Sequence, residues 1–259
     1  MKMRFSPLTA WQLASLLVAA PVGAADLTPA PPSLTPRAQS LACAPRTVDV
    51  AAPAARIRGG RDRNTKGIFA PGEVVVLDTS GGATVAAGEL YVVYRRPRSA
   101  VWAADSQWVR RAAQNVGLVR VDAVTGAIAS ASVVWACDGV ETGDVLEPYV
   151  APSTMPEAQA AAGPATFDQA SEVLFGGQDR RLGAARDFLL VARPAGVDVA
   201  VGQRVTFFRR LYGVDGPVSV LGDGIVHAVS HGTYLVEVAS SRDAIVAGDL
   251  VATHRPGAL

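Results

Sequence analysis

One short phrase recurs in this chain, and four of its copies fall into two matched pairs: an apolar residue, two spacers, Gly, then Glu, Gln or Asp. These four are Val85–Glu89, Val140–Asp144, Val199–Gln203 and Ile245–Asp249. An apolar run follows each, so each reads as a turn that feeds a β-strand. Gly88, Gly143, Gly202 and Gly248 would supply the positive φ that glycine adopts at low cost. The first copy matches the third and the second matches the fourth, which is the signature of an internal duplication.

The duplication extends well beyond the phrase. Each half opens on Gly-Gly-x-Asp-Arg, at Gly59–Arg63 and Gly176–Arg180. Each then places an acid before an apolar run: Glu73 before Val74–Leu77, and Asp187 before Phe188–Val191. Gly-x-x-Val-x-x-Gly follows, at Gly82–Gly88 and Gly196–Gly202, and the next strand ends in Arg-Arg. Further strands are expected at Val119–Val124 and Ser130–Trp135, matched by Gly224–Val229 and Tyr234–Val238. These runs are short, rich in Val, partly alternating and bounded by Gly or Asp. The expected fold is therefore all-β, with two tandem, internally duplicated antiparallel β-barrel or sandwich domains. Only Gln107–Gln114, beside Trp102 and Trp108, has a helical pattern. Those tryptophans read either as a cap over one end of the domain or as a ligand platform.

Residues 1–25 have the three parts of a secretory signal: Lys2 and Arg4, an apolar stretch over Trp11–Ala20, and a small-residue exit at Val22–Ala24. A Pro/Ala-rich segment follows over 26–54, and Leu27–Gln39 within it reads as an extended tether. The first β-repeat spans 55–150, an Ala/Pro-rich linker 151–165, and the second repeat 166–259. Removing the signal leaves 22 Lys and Arg against 23 Asp and Glu. That near-neutral balance argues against a dedicated nucleic-acid binder. Cys43 and Cys137, the two cysteines, are expected to form a disulfide in an exported chain.

Candidate chemistry is sparse. Glu89, Asp144 and Asp249 invite a carboxylate-site reading, but Gln203 in the third copy can neither ionise nor serve as a carboxylate ligand. Calcium loops gather several oxygens within a dozen residues, whereas these turns offer one each. His227 and His231 straddle an expected hairpin turn and have no third ligand nearby. With the hydrolase elbow, HExxH, CxxC and nucleotide-binding loops all missing from the sequence, no catalytic residue, metal or cofactor is expected. Arginines cluster instead. Arg95, Arg96, Arg98, Arg110 and Arg111 lie in the first repeat, and Arg209 and Arg210 in the second. They read as solvated strand ends or as patches for an anionic glycan, lipid or wall polymer. Arg95, Arg96, Arg209, Arg210 and Trp102 are the candidate ligand-binding residues.

The run Gly196–Arg209 with Ala244–Asp249, and its degenerate copy Gly82–Arg95 with Val140–Asp144, resembles the C-terminal module of the flagellar assembly protein T family. It is also similar to exported β-domains found beside peptidoglycan-binding LysM modules. The resemblance implies an exported, non-catalytic β-module of envelope assembly or wall association, with peptidoglycan or another envelope component as partner. The expected function is thus envelope binding or scaffolding in the periplasm or outside the cell. The alternative is an enzyme acting on envelope polymers through a carboxylate near Asp138, Asp144 or Asp249.

Overall fold

A computed structural model of the chain describes residues 36–48, 55–61, 66–96, 111–150, 162–177, 182–230 and 232–256. A short helix α1 (Pro36–Ala42) and strand β1 (Pro45–Thr47) precede the first repeat. The first repeat then contributes β2 (Ala55–Gly60), β3 (Ile68–Phe69), β4 (Val74–Asp78) and β5 (Leu90–Arg95). It continues with β6 (Ala112–Thr125), β7 (Ile128–Ala136), β8 (Val140–Glu141) and β9 (Val145–Pro148). The second repeat supplies the same eight in order. These are β10 (Ala162–Gly176), β11 (Leu182–Gly183), β12 (Phe188–Ala192), β13 (Arg204–Arg210), β14 (Val218–Ser230), β15 (Thr233–Ser241), β16 (Ile245–Val246) and β17 (Leu250–Pro256).

Pairing in the first repeat runs β6-β5-β9-β2-β4-β7 and closes through β6–β7; in the second it runs β10-β12-β15-β14-β13-β17 and closes on β10. Under the one-to-one correspondence of strands these are the same six-stranded antiparallel ring. Both repeats are therefore barrels rather than sandwiches, and closure leaves neither ring with an unpaired edge. Inward positions fill the interiors with aliphatic side chains, such as Ile57, Leu77, Val93 and Val133 in the first and Val173, Val191, Phe207 and Val238 in the second.

The turn phrase accounts for the ring geometry. In all four copies the last residue's N–H bonds the carbonyl three residues back, as in Asp144 N to Glu141 O at 3.1 Å and Asp249 N to Val246 O at 3.0 Å. Gly88, Gly143, Gly202 and Gly248 sit at φ 86°, 95°, 84° and 89°, as the third residue of a type II turn demands. Each glycine N–H then bonds a neighbouring strand, and that strand's N–H returns to the residue after the glycine. Gly143 N to Ile57 O and Ile57 N to Asp144 O are one such exchange, both at 2.8 Å. The turns thus start β5, β9, β13 and β17 already in register.

Two further copies were not counted: Phe69–Glu73 carries the whole phrase, while its match before Asp187 lacks the glycine. Ala70–Glu73 launches β4 through Gly72 at φ 86°, and Ala184–Asp187 launches β12 with Arg186 at φ 75° in the glycine position. Glu73 and Asp187 accept from Ala70 N and Ala184 N, at 2.6 and 2.8 Å. The Ala70 amide, and after it the Lys66 ammonium, holds the exposed Glu73 carboxyl below its usual range. Its stabilisation is complete above the ordinary glutamate pKa and fades as the pH falls through the lowered one. A non-glycine residue in left-handed backbone is strained by about 1 kcal/mol. Arg186→Gly is accordingly expected to stabilise the protein by about 1 kcal/mol, raising the melting temperature by about 2–4 °C. A melting temperature left unchanged or lowered in calorimetry would show that the Arg186 side chain contributes more than its backbone costs.

Two expectations about local structure are corrected. Of the expected helix Gln107–Gln114, residues 107–110 lie outside the described residues and Arg111 is helical, but Ala112–Gln114 open β6, bonded to β1 on one side and to Arg95 of β5 on the other. Chain pairing on both flanks outweighs the weak helical periodicity of that stretch. Pro36–Gln39 do not extend as a tether either, because they form the first turn of α1, where proline is tolerated. The residues after them form a strap. Cys43 is disulfide-bonded to Cys137 just past β7, with Cα atoms 5.9 Å apart, and Asn115 donates to Ala42 O at 2.9 Å. On the other side Leu41 and Ala44 pack on Phe188 and Leu235 of the second barrel. Nearby, Ala112 of the first barrel packs on Leu174, Phe175 and Leu190 of the second. This double contact explains why Phe188–Val191 is buried on both faces while Val74–Asp78 in the first repeat alternates.

Candidate functional site

The closing turn of each barrel carries an arginine clamp. Arg95, at the end of β5, donates Nε to Asp144 Oδ1 at 2.7 Å and a terminal nitrogen to Oδ2 at 2.8 Å. Arg209, at the matching position of β13, meets Asp249 at 2.7 and 2.9 Å. In each turn the same carboxylate also accepts a backbone N–H, from Glu141 at 2.6 Å or Val246 at 2.7 Å. Both carboxylates are buried. Burial opposes the charge on Arg95, but its bonds to Asp144 outweigh that and raise its pKa; in Arg209 the bonds to Asp249 lead and do the same. The bidentate fork makes both ion pairs structural partners of the turn.

The middle turn solves the same problem with different residues. In the first barrel the Tyr91 hydroxyl accepts from Ala86 N at 3.2 Å and donates to Glu89 at 2.9 Å. In the second, valine stands at the matching position (Val205), and Gln203 Oε1 accepts from Ala200 N directly at 2.9 Å. Gln203 Nε2 then donates to His254 O at 2.7 Å. An amide both accepts and donates, which a carboxylate cannot do, so glutamine replaces glutamate where the tyrosine is lost.

Around the first clamp lies an open pocket of about 360 Å³. The Thr142–Gly143 turn forms one wall and Arg56, Tyr94, Arg95 and Arg96 line the rest. Arg56 and Arg96 are exposed, and among the described residues no carboxylate pairs with either. Tyr94 forms the buried floor, and burial, then Glu147, raises its pKa against the opposing Arg46, Arg56 and Arg96. Arg46 of the strap stacks 5.8 Å over the Tyr94 ring and pairs with Glu147. Arg95 is committed to Asp144 and Glu141, which leaves Arg56 and Arg96 as the cations that face solvent.

The second barrel departs from this at each point. Backbone pairing to the closing turn aligns Arg56, opposite Val145, with Glu172, opposite Leu250. Phe208 stands where the first barrel has Tyr94, and Phe167 packs edge-on against it with centroids 4.9 Å apart. Arg210, the counterpart of Arg96, stacks 5.8 Å over Phe208 and donates to Phe167 O at 3.3 Å. Strand β10, much longer than β2, carries Phe167 into this position.

Of the residues singled out in the sequence, Arg95 and Arg96 share one pocket, while Arg209 and Arg210 lie on the other barrel. Trp102 lies outside the described residues. Arg56 and Tyr94 were not anticipated. The alternation in Ala55-Arg56-Ile57-Arg58 turns Arg56 outward, but its neighbourhood with Arg96 depends on β2 and β5 both pairing with β9. His227 is buried, with Nε2 2.8 Å from Glu237 and its ring edge-on to Phe188. Among the described residues no group of three or more His, Cys, Asp or Glu could hold a metal ion, and no helix is long and apolar enough to cross a membrane. No protein-family model matches the chain, and no curated protein matches it significantly.

Proposed function

We propose that this chain is an exported, non-catalytic protein of the cell envelope that binds or scaffolds an anionic envelope component through its first barrel. The observation that carries the reading is the asymmetry of the duplication: one barrel keeps an open arginine pocket, and the other replaces Arg56 with Glu172 and packs Phe167 over the matching floor. Folding alone asks for the same turns and cores in both barrels, and both have them. Both rings close with the same arginine clamp, so the exposed Arg56 and Arg96 are not needed for closure, and an open pocket lined by cations suits an anionic ligand.

Export is supported by the amino-terminal pattern and by both cysteines standing in one disulfide, which persists in an oxidising compartment. The likeness to exported, wall-associated β-modules points the same way. Against carboxylate chemistry, both oxygens of Asp144 and of Asp249 are engaged by an arginine fork, and one also by a backbone amide. Such groups are poorly placed to exchange protons with a substrate. The signal-free protein, incubated with purified peptidoglycan sacculi, is expected to co-sediment and to release no soluble fragments. Fragment release would favour the hydrolytic alternative, and a protein left wholly in the supernatant would count against peptidoglycan as the component bound.

A further inference from the structure

We infer that Arg56 and Arg96 form the two jaws of a site for one monoanionic oxyacid group, a carboxylate or a phosphodiester, and that the second barrel has no such site. The inference rests on the binding reading above and names the chemistry of the group bound. Among the described residues the lining charges are Arg56, Arg95 and Arg96 against Glu141 and Asp144. Arg95 bonds both acids, at 2.8 Å to Glu141 and 2.7 Å to Asp144, so those three groups together carry a single negative charge. Arg56 and Arg96 add two positive ones, and the described lining is one positive charge in excess. A single oxyanion balances that excess; a dianion overshoots it beside two carboxylates.

Geometry supports the same assignment. Arg56 leans on the closing turn, its terminal nitrogen 3.5 Å from Gly143 O, while Arg96 enters from the end of β5. Arg56, Arg96 and the buried Tyr94 line the same pocket, so both guanidiniums border one cavity. Guanidinium forks suit planar carboxylate and tetrahedral phosphate oxygens alike. Thr142, exposed and lining the same pocket, brings a hydroxyl that can act as a further donor. Arg95 is a positioning residue here: by clamping Asp144 it fixes the turn on which Arg56 rests.

The test uses the full signal-free protein and two small probes, acetate and dimethyl phosphate, in an NMR titration that follows arginine Nε–H signals. At constant ionic strength the Arg56 and Arg96 signals are expected to move saturably with one or both probes, and those of Arg209 and Arg210 to stay in place. Saturation by acetate alone assigns a carboxylate ligand, and by dimethyl phosphate alone a phosphodiester. Arg56→Gln and Arg96→Gln, both at exposed positions, are each expected to weaken the affinity about tenfold, the loss of one charge-assisted contact. Linear, unsaturating shifts, or equal shifts at Arg209 and Arg210, would overturn the site. The two readings fail separately. Sacculi still bound by an Arg56→Gln/Arg96→Gln double variant would remove this pocket from envelope binding, while saturable anion binding by a protein that ignores sacculi would keep the site and discard the peptidoglycan partner.

Discussion

Breaking the Cys43–Cys137 disulfide, by Cys43→Ser with Cys137→Ser, is expected to cost up to about 4 kcal/mol of stability. The bond closes a loop of sequence separation 94, and most of its effect lies in the unfolded chain, which loses conformations when cross-linked. A second consequence is local. Residues 36–48 are fastened to the first barrel by this bond and by three β1 pairings, and they cover Phe188 and Leu235 of the second. Without the bond, amide exchange is expected to quicken at Arg46, Thr47 and β12 before it quickens in either barrel core. Calorimetry and hydrogen exchange on oxidised and double-serine protein check both parts. A melting temperature lowered with strap protection intact would mean that packing alone holds the strap. No loss of stability at all would refute the entropic account.

The second large effect belongs to the closing turn. Asp249→Ala removes two bonds from Arg209 and one from Val246 N, and it opens space at a buried position. Leaving a half-exposed arginine and a turn amide without their acceptor is expected to cost about 2–3 kcal/mol. Asp249→Asn keeps an acceptor for the amide but loses the charge, so it should fall about midway. Urea unfolding of the two variants separates the contributions: equal losses would assign the whole effect to the arginine, and a neutral Asp249→Ala would remove the turn from the stability of the barrel. Asp144→Ala is expected to behave alike, tempered by Glu141, which still holds Arg95.

The repeat phrase was legible in the sequence because its requirements are local. A type II turn needs glycine at one position and a backbone-capping side chain at the next, and both needs appear within five residues. The disulfide was legible because two cysteines permit one intramolecular pairing. Closure into six-stranded rings was less so, since β6–β7 and β10–β17 pairing depends on twist and on the sum of all registers. The turn at Asp187 was seen only as an acid before a strand because Arg186 occupies the place where the pattern calls for glycine; its match at Glu73 has Gly72 there and was passed over with it.

The candidate site shows the same division. Arg95 and Arg96 stood out as a pair repeated at Arg209 and Arg210. That repetition suggested equivalent patches, yet the barrels use the two pairs differently. Arg95 and Arg209 serve the fold, while Arg96 faces an open pocket and Arg210 lies against Phe208. Arg56 and Glu172 occupy equivalent positions, but no local motif marks them, and their alignment emerges from pairing with β9 and β17.

By itself the sequence determined the duplication, the strand-starting turns, the all-β class and the bonded cysteines, since each is set by residues adjacent in the chain or by composition. Tertiary structure alone decided which arginines are spent on the fold and which remain to meet a ligand. Whether a guanidinium is engaged depends on the carboxylates and rings that distant strands bring beside it, and those neighbours are fixed only when the barrel closes.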